Sequence, residues 1–179
     1  MFPIGHLSAG YLFAYFFLKR ANVEDRKLWL GVGTFLGLLP DSDCLAYPFL
    51  AAYMGWDRAV RISHHAWITH TPLFYVLLGL LVVIYSKKLG CLVTGESLLH
   101  LLCDSVVPED GIMWLFPLSY RKFSLCPNNL HGWAWISFYV HTYGFALELA
   151  LLALALSVRW LDLYVHKHIK RDVRLLSEA

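Results

Sequence analysis

Leu28-Trp29-Leu30-Gly31-Val32-Gly33-Thr34-Phe35-Leu36-Gly37-Leu38-Leu39-Pro40-Asp41-Ser42-Asp43 is an apolar run that ends on a proline and two carboxylates. About 12 apolar residues make roughly 18 Å of helix, too short to cross a hydrocarbon core of about 30 Å. The run must stop inside the protein, and it carries Asp41 and Asp43 in with it. Carboxylates at that depth need a partner or an ion, because an unpaired charge in apolar surroundings is costly. The stretch therefore predicts helices gathered around an internal polar site.

The rest of the chain agrees with a membrane setting. Of 179 residues, 58% are hydrophobic and 16% charged, and the mean hydropathy of +0.53 is too high for a soluble domain. Further apolar stretches run from Phe2 to Leu18, from Ala66 or Pro72 to Tyr85, from Leu89 to Val107 and from Trp133 to Val158. Leu45 to Met54 is a shorter one that re-enters or lies on the membrane. The expected fold is an all-α integral membrane bundle of about five to six apolar helices, some short or re-entrant. Residues 1–158 form one membrane-embedded domain, and 159–179 a basic cytoplasmic tail. A net charge of +2 gives no reason to expect nucleic acid as a partner. Cys44, Cys91, Cys103 and Cys126 show no CxxC spacing and receive little chemical weight.

Charge sets the expected orientation. Lys19, Arg20, Arg26 and Lys27 follow the first apolar stretch, Lys87 and Lys88 precede the fourth, and Arg159, Lys167, Lys170, Arg171 and Arg174 crowd the C-terminal end. Only Arg58, Arg61, Arg121 and Lys122 fall on the other side. By the positive-inside rule, the C-terminus is cytoplasmic and the protein sits in the cell (inner) membrane in several passes. Counting about 1.5 Å per residue from each inner helix end brings His6, Asp41, His70, His100, Asp104, His141 and Glu148 to heights of roughly 15 to 26 Å. They share a layer in the outer half, so one site opening to the extracytoplasmic face is expected.

Three motifs supply its chemistry. Asp41 and Asp43 lie two apart in an irregular segment, where both can turn toward one point and one can bridge two ions; the bland alternative is a loop cap. His100 and Asp104, at i and i+4 on a helix, present both side chains on one face. Their structural alternative is a hydrogen-bonded pair joining two helices. Glu96, a turn earlier, reads as a partner that orients them. In His64-His65-Ala66-Trp67-Ile68-Thr69-His70-Thr71-Pro72, Thr71 reads as an N-cap with Pro72 in the first helical position, which fixes His70 at a rigid helix entry. His65 and His70 are the expected ligands there and His64 a bystander, against the alternative of a solvated interfacial cluster.

His6 and His141 complete the expected ligand set, although lone histidines on apolar faces are often satisfied core residues. Glu148, seven residues after His141, points the same way. The set is then His6, Asp41, Asp43, His65, His70, His100, Asp104 and His141 for a divalent metal, zinc above all, with Asp43 and Glu148 as proton-transfer groups. Histidines mixed with carboxylates suit such an ion.

These pieces together resemble the YdjM-type family of membrane-bound, metal-dependent hydrolases, described in part as LexA-regulated. The resemblance rests on the early helix with His6, Leu39-Pro40-Asp41-Ser42-Asp43, His65-x-x-x-Thr69-His70, and Leu99-His100-x-x-x-Asp104 followed by Gly111 and Phe116-Pro117. Where the family pattern runs His-Arg-Gly-x-Thr-His-Ser, this chain has Ala66 and Trp67 in place of the arginine and glycine. The order of Asp, His and His-x-x-x-Asp is also similar, more remotely, to zinc-dependent phospholipase C.

The expected function is hydrolysis, by metal-activated water, of a phosphoester or ester in a lipid or lipid-linked molecule, with membrane lipids as the surroundings. The absence of HExxH argues against zincin proteolysis. A metal or proton transporter is the alternative, and it should also carry polar groups through the inner half, where Glu96 stands nearly alone. A scaffold with a structural ion would instead close its ligand shell.

Overall fold

The computed structural model describes residues 1–20 and 25–177. It is helical, and among the described residues the only strand-like pairing is a single bridge between Ile112 and Phe123. Among the described residues eight α-helices follow in order: α1 (Pro3–Arg20), α2 (Arg26–Leu36), α3 (Tyr47–Met54), α4 (Trp56–Ala59), α5 (Pro72–Val83), α6 (Lys87–Val106), α7 (Gly132–Tyr139) and α8 (Tyr143–Ser177). Short 3-10 helices occupy Pro40–Ala46, His64–Ala66 and Ile68–His70.

The short apolar run behaves as its length dictates. Helix α2 stops at Leu36, and Pro40 opens the 3-10 turn that carries Asp41 and Asp43. Glycines set how deeply that turn enters. A Cβ on Gly33 would lie 2.5 Å from the Ala14 Cβ of α1, and one on Gly37 only 2.9 Å from the His6 carbonyl oxygen. The α1 and α2 backbones therefore meet closely enough to set His6 beside the aspartates. Helices α5 and α6 close in the same way, because a Cβ on Gly90 would meet the Gly79 carbonyl oxygen at 2.7 Å. Ser86 caps α6 by accepting from the Leu89 amide at 3.3 Å.

Thr71 stands at the N-cap of α5 with Pro72 first in the helix, as the sequence predicts. Its hydroxyl, however, donates to the Ile68 carbonyl at 2.7 Å instead of capping α5. This bond closes the preceding turn and holds His70.

Two expectations need correction. The stretch from Trp133 to Val158 is not one helix: it breaks between α7 and α8, where the amides of His141 and Thr142 turn back onto Phe138 and Tyr139 and the Thr142 hydroxyl donates to Tyr139 at 2.8 Å. Gly144 passes close to Pro108 there, with room for no side chain. Helix α8 also runs without a break through the expected start of the tail at residue 159. Residues 178–179 lie outside the described residues, as do the side chains of Arg20, Lys167, Lys170, Arg171 and Arg174, on which much of the charge asymmetry rests.

Among the described residues two helices are long and apolar enough to cross a membrane, Lys87–Val106 and the Tyr143–Val165 part of α8. Apolar side chains also face outward along α5, among them Leu77, Leu80, Leu81 and Ile84.

Candidate metal centre

The ligands that converge come from several elements, each for a local reason. His6 lies on α1, buried where Gly37 lets α2 approach. Asp41 comes from the 3-10 turn after Pro40, His65 and His70 from the two 3-10 turns before α5, and His100 and Asp104 from one face of α6. His6, His65, His70, His100 and Asp104 are buried, and Asp41 is 20% exposed.

Three of the histidines, His65, His70 and His100, are held by one ring nitrogen and present the other. His100 Nδ1 lies 2.8 Å from the Gly37 carbonyl oxygen, which can only accept, so this nitrogen carries the proton. His70 Nδ1 donates to Asp43 at 2.7 Å, and Thr69 donates to the same oxygen at 2.7 Å. His65 Nδ1 donates to Asp110 at 2.6 Å. In each neutral ring this leaves Nε2 with its lone pair exposed, the arrangement found around histidine ligands.

Those Nε2 atoms converge on two carboxylates. Asp41 Oδ1 lies 3.4 Å from His100 Nε2, 3.7 Å from His70 Nε2 and 3.6 Å from His64 Nε2. Asp104 Oδ2 lies 3.1 Å from His100 Nε2 and 3.8 Å from His65 Nε2, while Asp104 Oδ1 lies 3.1 Å from His6 Nε2. The His6 and His100 rings stack at 3.6 Å. Ligands about 2.1 Å from a tetrahedral ion stand about 3.4 Å apart, so these spacings are those of the edges of a coordination polyhedron. Two triads, His6 with His100 and Asp104, and Asp41 with His70 and His100, share His100.

The residues fit a divalent ion on a further ground. His6 Nε2, His70 Nε2, His100 Nε2 and Asp104 Oδ2 are buried and make no hydrogen bond among the described residues. An unsatisfied buried polar atom costs about 1 to 3 kcal/mol. Cations held by the two triads would between them satisfy all four.

The loop after α6 completes the surroundings. Gly111 takes φ 87° in close contact with Phe123, and the Ile112–Phe123 bridge closes the loop so that Asp110 meets both His65 and Lys122. Burial pushes the His65 imidazole down to about 4, against the pull of Asp110, which keeps the ring neutral near pH 7. Burial opposes ionisation of Asp110, but the hydrogen bonds from His65 and Lys122 outweigh it and hold its carboxyl well below the usual range. Burial raises the Glu109 carboxyl, against the nearby Met1 amino group, which donates to its Oε1 at 2.9 Å. The same amino group donates to Asp104 Oδ1 at 3.0 Å.

Beside the centre lies a cavity of about 830 Å³. Asp41, Cys44, His64, His65, Glu109 and Asp110 form its polar end, and side chains such as Leu45, Pro48, Trp56, Val60, Leu130 and Trp135 its apolar walls.

Four expectations change. Asp43 stands one shell back, holding His70 and Thr69, and is absent from the convergent groups. His141 falls in the turn between α7 and α8, exposed, its Nδ1 2.8 Å from the Ser137 carbonyl oxygen. Glu148 is buried but accepts from the Phe2 amide at 2.8 Å and the Tyr139 hydroxyl at 2.5 Å, tying α8 to α1 and α7. Nor does Glu96 orient His100, since the Gly37 carbonyl does that and both Glu96 oxygens are without partners. Sequence reasoning passed over His64, which reaches Asp41, and Glu109 and Asp110. An acidic pair directly after a helix that carries His100 and Asp104 was the available signal for the last two.

The profile of the YdjM inner membrane protein family matches residues 1–165, and the chain belongs to that family. It is 30% identical over 110 residues to the inner membrane protein YbcI of Escherichia coli (strain K12), covering 56% of this chain and 59% of that protein. The chain thus spans under two thirds of that relative's length. No solved structure matches. Family and relative support an inner-membrane location for this chain. The likeness to zinc-dependent phospholipase C has no counterpart in these comparisons.

Proposed function

We propose that this chain is a membrane-embedded, metal-dependent hydrolase acting on a phosphoester or ester of a lipid or lipid-linked molecule. The observation that carries the reading is the set of buried, unpartnered Nε2 atoms of His6, His70 and His100 gathered around Asp41 and Asp104. His6, Asp41, His65, His70, His100 and Asp104 would hold one or two zinc-like ions. An ion so held would supply Lewis-acid chemistry, lowering the pKa of water from about 15.7 toward 7 and polarising the scissile group.

The chain's own residues do the rest. Asp43, Asp110 and the Gly37 carbonyl fix three imidazoles with Nε2 forward. Glu109, which lines the cavity beside His65, is placed to take the proton of the attacking water. Leu45, Pro48, Trp56 and Trp135 offer an acyl chain a dry wall while its head group meets the polar end. In this reading the helices form a multi-pass bundle of five to six apolar segments, with the C-terminus cytoplasmic and the cavity opening to the extracytoplasmic side.

The test is release of head group or phosphate from a labelled inner-membrane lipid extract by detergent-purified full-length protein, with metal content measured in parallel. Metal in the wild type and lipid turnover lost in His100→Ala support the reading. Metal-loaded, folded protein that hydrolyses no lipid in the extract overturns it.

A second reading, a metal or proton transporter, has one specific observation in its favour. Glu96, Tyr11 and Ser97 are buried or half-buried polar groups that find no hydrogen-bond partner among the described residues, on the inner side of His100. Metal or proton flux into proteoliposomes that is abolished by Glu96→Gln would favour it.

A further inference from the structure

The 3-10 geometry of Pro40–Ala46 has a consequence beyond the buried centre. Side chains three residues apart on a 3-10 helix eclipse one another, so Asp41 and Cys44 stand on the same face. His64 meets them from the turn at His64–Ala66, and ligand atoms of Asp41, Cys44 and His64 all lie within 4.8 Å of one another. All three line the cavity, whereas His6, His70, His100 and Asp104 do not. The trio therefore stands between the cavity and the buried ligands.

His64 is oriented for the task. The Tyr47 hydroxyl has one proton and gives it to the Ile62 carbonyl at 2.5 Å. Toward His64 Nδ1, 3.4 Å away, its oxygen can then only accept, so Nδ1 carries the ring proton. In the neutral ring His64 Nε2 thus turns a lone pair toward Asp41 Oδ1 at 3.6 Å, two electron-rich atoms facing each other. A cation resolves that opposition, and the half-buried Cys44 thiol beside it adds a soft ligand.

We propose that Asp41, Cys44 and His64 form an outer, thiolate-containing metal site for a borderline or soft divalent ion such as Zn²⁺ or Cd²⁺, with Asp41 bridging it to the buried centre. The inference extends the metal centre of the preceding reading and shares Asp41 with it, but it does not depend on hydrolysis. Nitrogen, oxygen and sulfur donors in one trio suit zinc-type ions and not Mg²⁺ or Ca²⁺, which take oxygen.

The test uses full-length protein in detergent with Cys91, Cys103 and Cys126 changed to serine, stripped of metal and titrated with Cd²⁺. Bound metal is counted by equilibrium dialysis, and the ultraviolet cadmium–thiolate charge-transfer band reports sulfur ligation. The expected result is a band with Cys44 present, and loss of both the band and one equivalent of Cd²⁺ in Cys44→Ser and in Cys44→Ala. The band should survive in His100→Ala, and in His70→Ala should the first variant fold poorly, while the buried ligation is lost. A missing band with Cys44 present, or equal Cd²⁺ content with and without the thiol, overturns the proposal. Loss of the band in both folded histidine variants would overturn the outer site as a separate one. Failure of the hydrolase reading shows differently, as a protein with the band and no lipid turnover.

Discussion

Replacing Asp43 by asparagine separates a ligand from a residue that holds one. The Asp43 Oδ2 atom takes donors from both His70 Nδ1 and Thr69 Oγ1, each at 2.7 Å, and its side chain is only 6% exposed. Asparagine keeps the shape and one accepting oxygen but loses the charge that fixes the His70 tautomer and strengthens Nε2 as a donor. Losing such a supporting carboxylate weakens metal binding by about 10- to 100-fold, or about 1.4 to 2.7 kcal/mol. Competition between full-length protein and a chromophoric chelator for Zn²⁺ would measure it. The expected result is a raised Kd with unchanged stoichiometry at saturating metal. Loss of a whole equivalent at saturation would make Asp43 a ligand and refute the assignment, and an unchanged Kd would refute the orienting role.

Other outcomes follow from the same geometry. His100→Ala removes the buried imidazole whose Nε2 lies 3.4 Å from Asp41 and 3.1 Å from Asp104, between the two carboxylates, and should lower bound metal in elemental analysis more than any other single histidine change, His64→Ala included. Glu148→Gln should leave metal content as in the wild type and lower thermal stability by about 1 kcal/mol, the scale of one weakened hydrogen bond; lost metal would return Glu148 to the centre. Gly79→Ala drives a methyl into Thr94 Oγ1 and should cost about 1 to 3 kcal/mol in thermal unfolding, as overpacking does, with part recovered by adding Thr94→Ala. Asp110 is held below its unfolded pKa of 3.8, so its contribution is present above about pH 4 and is lost as pH falls through the folded value. Asp110→Asn should flatten that acid limb of the thermal-stability profile.

The helices were legible where a single physical quantity decides them. Apolar length fixed the arrest of the run at Leu28–Leu39, and Thr71-Pro72 marked the start of α5 at the residue. What the sequence hid was the break after Tyr139, because Val140-His141-Thr142 keeps the apolar pattern on both sides. That turn depends on hydrogen bonds back to Phe138 and Tyr139 and on the close pass of Gly144 by Pro108, a tertiary contact. The misplaced break then misplaced His141 and the face on which Glu148 was expected.

The same distinction explains which site residues could be read. His100 and Asp104 share a helix face by spacing alone, and that spacing is the geometry found. Asp41 and Asp43 could not be told apart by spacing, since both follow Pro40. What divides them is which group reaches each first: Asp43 finds the Thr69 hydroxyl and the protonated side of His70, and Asp41 finds only bare imidazole nitrogens. Asp43 Oδ2 is satisfied by its two donors, although its Oδ1 is buried without a partner among the described residues, whereas Asp41 meets imidazole nitrogens alone and calls for a cation. On that argument the ligand role moves to Asp41 and the orienting role to Asp43. His64, dismissed for lack of a fixed partner, regains a role because Tyr47, six residues beyond Asp41 in the chain, supplies one.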